Sequence, residues 1–87
     1  MDKEFIIKCI DVINKIELHS IIAITKDNKE QKYQVNCTCE YDYTEWELTC
    51  LDEENAIWDC NETLDDIKED LLCGAIRGSY QKIRLKE

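Results

Sequence analysis

The sequence contains no proline and only two glycines in 87 residues. It therefore has no proline-rich or glycine-rich linker and no glycine-rich loop of the kind that cradles phosphates. His19 is the single histidine, which leaves any cysteine- or serine-based nucleophile with one candidate imidazole base. No apolar run approaches the roughly 20 residues that a membrane-spanning helix needs. The beginning, Met-Asp-Lys-Glu, lacks the basic stretch followed by an apolar run of a secretory signal, so the expected location is cytoplasmic. No Asp-x-Asp-x-Asp-Gly loop is present to suggest a calcium site, and no Cys-x2-Cys knuckle to suggest a zinc ribbon. The expectation is a non-enzymatic protein without metal or cofactor.

What the chain has in excess is acid, and its placement says more than the net charge of −9. Residues 1 to 39 hold six acids and six bases. Residues 40 to 70 hold thirteen acids against Lys68 alone. The last seventeen residues hold Arg77, Lys82, Arg84 and Lys86 against Glu87. So short a basic stretch argues against direct nucleic-acid binding, and the central acidity repels phosphates.

The chain reads as a single compact α+β domain over residues 1–87. Asp2 is placed to cap a first helix, with Phe5, Ile6, Cys9, Ile10, Val12, Ile13 and Ile16 on one side at helical spacing and Ile7 as an apolar exception on the polar side. A strand is expected from Leu18 to Lys26, with a first helix running on to Ile22 as the competing reading, then a turn at Asp27–Glu30. From Lys32 to Leu51 the period is two: Tyr33, Val35, Cys37, Cys39 and Tyr41 alternate with polar residues, and Trp46, Leu48 and Cys50 resume the pattern. These segments form a three-stranded antiparallel meander. Residues 56–58 carry no clear assignment. Thr63 starts a second helix over Leu64–Arg77, with Leu64, Ile67, Leu71 and Ala75 as its core stripe and Gly78 as its stop. The order is αβββα, with a short fourth strand at the C-terminus suggested by the alternation over 80–86. Helices on one face of the sheet and water on the other follow from this layout.

The central hairpin has two registers consistent with its pattern. A four-residue loop sets Cys37 opposite Cys50 and Cys39 opposite Leu48. A two-residue loop sets Val35 opposite Cys50 and Cys39 opposite Trp46. The longer loop is favoured, because Asp42-Tyr43 lacks the glycine or asparagine that tight hairpin turns prefer. Both registers put Glu40 opposite another glutamate, Glu47 or Glu45. The six cysteines read as packed thiols. A zinc site from Cys37, Cys39, Cys50 and Cys60, or a Cys37–Cys50 disulfide, is the competing use.

The acidic segment is either a solubilising surface or one that offers carboxylates where a basic protein expects phosphates. The residues for the second role are Glu40, Asp42, Glu45 and Glu47, continued by Asp52, Glu53, Glu54, Asp65 and Asp66, with Tyr43 and Trp58 as aromatic anchors. In length, acidity and small α+β layout the chain resembles the acidic inhibitors encoded by bacteriophages and mobile elements, the anti-CRISPR and anti-restriction proteins, several of which are DNA mimics. The resemblance implies a phage-encoded inhibitor in the host cytosol that blocks the nucleic-acid-binding site of a Cas nuclease or similar basic protein, acting as a monomer or homodimer. Two alternatives stand beside it. One is a homo-oligomeric regulatory or structural protein associating through Leu72 and Ile76 or through edge strands. The other is a module binding a nucleotide signal.

Overall fold

Local chemistry sets both helices. Helix α1, Lys3–Asn14, starts where the Asp2 carboxylate accepts from the backbone N–H groups of Glu4 and Phe5, satisfying donors that the first helical turn leaves unpaired. Helix α2, Leu64–Arg77, starts at Thr63, whose side chain accepts from the Asp66 N–H, and stops at Gly78, which takes a left-handed φ of 76°. Asp65 and Asp66 in its first turn and Arg77 in its last complement the helix dipole. Both spans agree with the periodicity of the sequence.

The computed structural model describes residues 2–86. Besides the helices it contains β1 (Ile21–Lys26), β2 (Lys29–Glu40), β3 (Tyr43–Cys50), β4 (Ile57–Asn61) and β5 (Lys82–Lys86). They form one antiparallel sheet in the order β4-β3-β2-β1-β5. The expected αβββα order with three meander strands is thus corrected to five strands. β4 is formed by the segment that the sequence left unassigned, and β5 crosses over α2 to pair with β1. A bulge between Leu48 and Thr49 interrupts the β3–β4 register, so Thr49 pairs with Ile57 while Leu48 pairs with Asp59. The extra residue breaks the period-two alternation that would have revealed β4.

β1 begins three residues later than expected. Leu18 to Ser20 form a turn in which Ser20 Oγ accepts from the Glu17 N–H and His19 takes a φ of 72°. The β1–β2 turn is Asp27-Asn28, with φ of 52° and 66°, the pair of left-handed residues that suits a two-residue hairpin.

The register of the central hairpin also differs from both expected ones. Tyr33 lies opposite Cys50, Val35 opposite Leu48, Cys37 opposite Trp46, Cys39 opposite Thr44, and Glu40 opposite Tyr43. The turn is Tyr41-Asp42, with Tyr41 at φ 52°. A tyrosine in the left-handed region is uncommon, so the composition of this turn gives no signal for a two-residue connection. Glu40 therefore faces a tyrosine, not a glutamate, and no like-charge pair needs explaining there.

Both helices cover one face of the sheet. Cys9, Ile13 and Ile16 from the first helical segment, Ile67, Leu71 and Ala75 from α2, and Ile22, Ile24, Val35, Leu48 and Ile83 from the strands form one buried cluster. Tyr80 anchors it. Its hydroxyl donates to the Leu71 carbonyl at 2.6 Å, and its ring meets Phe5 and Trp58 edge-on with centroids 6.4 and 6.0 Å away. Gly74 lies beneath the ring, where an added Cβ would approach Tyr80 Cε1 to 3.2 Å. Tyr80→Phe is expected to cost about 1 kcal/mol through the lost hydrogen bond, and Tyr80→Ala about 3–5 kcal/mol through the cavity. Urea unfolding of the two variants measures both; equal losses would mean that the ring is not the anchor.

Candidate protein-binding surface

The face of the sheet away from the helices is the open face, and the register decides what it displays. On β3 it carries Tyr43, Glu45, Glu47 and Thr49; on β2 Glu40, Thr38, Asn36 and Gln34; and on β4 Cys60, which pairs with Glu47. On β5, at the other side, it carries Lys82, Arg84 and Lys86, paired with Thr25, Ala23 and Ile21. The open face thus runs from acidic at β3 and the end of β2 to basic at β5. Arg84 spends part of its charge locally, on Glu30 at 2.9 Å.

β2 and β3 continue past the rest of the sheet. Pairing with β1 ends at Gln34 and pairing with β4 ends at Trp46, so the end of the hairpin projects as a two-stranded arm. At its tip Tyr41 is fully exposed and Tyr43 is 57% exposed. Asp42 sits in the turn, next to Glu62 and Thr63 at the start of α2, with which it lines a shallow depression.

Glu45 is the electrostatic centre of the arm. Its carboxylate accepts from the Cys60 thiol and from the Tyr43 hydroxyl. These donors hold the Glu45 carboxyl below its ordinary range, and the same contacts push Cys60 up to about 11 and Tyr43 up to about 12. Glu47 accepts from Thr49, which accepts in turn from Asn36. Glu45 therefore remains charged at any physiological pH, with its carboxylate fixed by neighbours on two strands. The ligand atoms of Glu45, Glu47 and Cys60 lie within 4.8 Å of one another. They are within reach of a single ion, but each is already engaged by the hydrogen bonds above or exposed to water.

The remaining residues singled out from the sequence do not join this group. Asp52, Glu53 and Glu54 lie in the β3–β4 loop at the opposite end of β3, about 27 Å from the tip by strand rise. There Asp52 accepts from the Lys32 backbone N–H at 2.7 Å, with Lys32 Nζ 3.9 Å away, and Glu53 accepts from Gln31. Asp65 and Asp66 are exposed in the first turn of α2. Trp58 points to the helix side, half-buried edge-on against Tyr33 and Tyr80, so it packs in the core layer and is not displayed beside Tyr43. The cysteines divide as well: Cys37, Cys39 and Cys50 share the helix-side parity, whereas Cys60 lies on the open face. All six cysteines are free.

Two features escaped the sequence. Cys60 belongs to the Glu45 group only because β4 exists. The second is a carboxylate pair under α2, where Asn61 Nδ2 donates to Asp59 at 2.9 Å and to Asp70 at 2.7 Å. Burial, followed by the nearby Asp70 carboxylate, raises the Asp59 carboxyl above its ordinary value. On the helix layer, Ile10, Ile13 and Leu72 line a groove of about 190 Å3 with Lys68 and Glu69, and Ile76 is exposed. No helix is long and apolar enough to cross a membrane among the described residues.

No family model, curated protein or solved structure matches the chain.

Two outcomes follow from these electrostatics. Glu45→Gln removes the charge beside Cys60, so alkylation of Cys60 at pH 8.5 should speed up roughly tenfold or more as its thiolate becomes accessible; an unchanged rate would place Glu45 elsewhere. For Asp59, a folded pKa above the unfolded one favours the protonated form in the fold, so the wild type carries a penalty above the folded pKa that fades as pH falls toward the unfolded value. Asp59→Asn should therefore raise Tm at pH 7 by roughly a few degrees and give no gain near pH 4. A gain equal at both pH values would contradict the assignment.

Proposed function

We propose that the protein is a non-enzymatic inhibitor that binds a basic, nucleic-acid-binding protein through the acidic arm and keeps nucleic acid out of that protein's binding site. The observation that carries this reading is the arm itself. Glu40 and Glu45 share its open face, Glu47 follows at its base beside Cys60, and Asp42 occupies its tip, beside the exposed rings of Tyr41 and Tyr43. Along β3 the glutamates repeat every ~6.7 Å and the neighbouring strand lies ~4.8 Å away, giving a dense negative field on a backbone that needs no reordering to bind. Pre-organisation of this kind lowers the entropic cost of association. The tyrosines supply rigid contact area of the type that anchors protein interfaces. The profile shared with phage-encoded inhibitors extends the reading to a Cas nuclease, with the DNA- or guide-RNA-binding channel as the surface covered.

The register narrows the surface. The residues at the far loop, Asp52 to Glu54, belong to a separate acidic region partly neutralised by Lys32, and Trp58 serves the core. The partner surface under this reading is the arm, with Glu62 beside Asp42 on its flank.

Capture from a bacterial lysate at low salt, followed by elution with rising salt and with duplex DNA, is expected to recover a nucleic-acid-binding enzyme that both treatments release. Charge reversal by Glu45→Lys with Glu47→Lys should weaken that complex at least about tenfold, while Asp2→Lys with Glu4→Lys leaves it nearly unchanged. Equal losses from the two pairs, or recovery of the protein alone, would contradict the proposal.

A further inference from the structure

The sheet has two outermost edges, and both carry devices that discourage pairing. β5 displays Lys82, Arg84 and Lys86, and β4 is five residues long and paired through a bulge. Charged side chains, shortness and bulges are the usual protections of an edge strand. A third edge carries no basic residue, proline or bulge. β2 runs to Glu40, but its neighbour on the β1 side stops at Val35, whose carbonyl accepts from His19 and whose N–H donates to Ser20. Among the described residues no strand pairs with β2 on that side beyond this point, although its pairing with β3 continues without interruption to Glu40 opposite Tyr43.

The ladder also says which backbone groups are free. The Leu51 N–H donates to the Lys32 carbonyl, so Lys32 turns its backbone groups toward the β3 side, and Gln34, Asn36, Thr38 and Glu40 follow at the period of two. The intervening residues turn their N–H and C=O groups toward the β1 side, as Val35 does. Cys37 and Cys39 therefore present two donors and two acceptors at an edge with no strand beside it. Thr38 between them is β-branched, and the segment is exposed at Thr38 and Cys39.

We infer that the Cys37–Cys39 edge of β2 takes up an extended basic segment of the partner as an added strand. This rests on the reading that the arm binds a basic protein, and it names the shape of what is bound. An added strand lies ~4.8 Å from β2. Its side chains on the open face stand next to Thr38 and Glu40, with Glu45 one strand further, where lysine or arginine reaches the carboxylates. Its side chains on the other face stand next to Cys37 and Cys39, where small apolar residues fit. The recognised sequence alternates a base with a valine-, threonine- or alanine-sized residue over about six positions. Main-chain hydrogen bonds supply affinity and alternate side chains supply specificity, as in other strand additions. A second copy of the chain suits the edge less well, because it brings another acidic arm against this one.

The test uses the full chain and the peptide acetyl-Lys-Val-Arg-Val-Lys-Val-amide, followed by amide hydrogen exchange and titration calorimetry. Binding should slow exchange at Cys37 and Cys39 by about tenfold or more. Methylating one alternate set of peptide nitrogens should abolish binding, and methylating the other set should leave it intact. Unchanged exchange at the two cysteines, or equal affinity of both methylated peptides, would overturn strand addition. Protection of both amides in the free protein together with a dimeric sedimentation mass would overturn it too, since the edge is then filled by a second copy. If the methylated peptides bind equally but Glu45→Lys with Glu47→Lys abolishes binding, strand addition fails while the acidic partner surface stands. If neither the peptide nor a basic protein binds, both fail.

Discussion

The neighbours of the acidic side chains on the open face depend on one alignment, Val35 opposite Leu48 in the central hairpin. Side chains alternate along a strand, so a slip of one residue would turn Trp46 and Leu48 to water and Glu45 and Glu47 into the core. Burial of Val35 and Leu48, both fully enclosed, forbids that slip. A slip of two keeps the faces correct but changes every neighbour, and here the turn decides. The two-residue Tyr41-Asp42 connection sets Glu47 beside Asn36 and Glu45 beside Thr38, and it lets the arm run to its full length.

The arm joins two environments of different character. Toward the helices, the packing of Tyr33, Trp58, Tyr80 and Phe5 edge to edge builds an aromatic layer that ties β2, β4 and α1 together through the residues just before β5. Toward the open face, the side chains are half-buried by one another and not by a covering layer. Carboxylates there stay hydrated on one side and hydrogen-bonded on the other, which is how Glu45 holds its charge without a basic partner. The basic residues Lys82, Arg84 and Lys86 of the open face sit on β5, separated from the acidic arm by β1 and by Gln34 and Asn36 of β2. The separation keeps the arm's field from being cancelled locally.

The helices were legible because their signals are local. Asp2 and Thr63 as caps, Gly78 as a stop and the apolar stripe of Ile67, Leu71 and Ala75 each depend on residues within a few positions. The strands were legible where alternation is unbroken, as from Tyr33 to Cys39. β4 was hidden because the bulge sets Trp58 and Asp59 in succession on the helix side, which defeats a period of two. The register was misread because a turn without glycine argued for a longer loop, whereas the chain places a tyrosine in the left-handed region. Since β4 was missing, Trp58 had no place in the core and was assigned to the surface, and Cys60 had no relation to Glu45. The outward side of Glu40, Glu45 and Glu47 was visible from parity alone, because parity survives any even change of register. Tyr41, in contrast, expected on the inward side, lies exposed in the turn, and Tyr43, expected in a loop, begins β3.

The measurement that tests this account most directly is the pattern of Hα–Hα contacts across the hairpin by nuclear Overhauser spectroscopy. Directly opposed residues that do not exchange backbone hydrogen bonds bring their Cα atoms to about 4.5 Å. The alignment described here predicts contacts from Tyr33 to Cys50, Val35 to Leu48, Cys37 to Trp46 and Cys39 to Thr44. Contacts from Cys37 to Leu48 or Cys50 would mean a different turn, and with it a different set of β2 neighbours for Glu45 and Glu47.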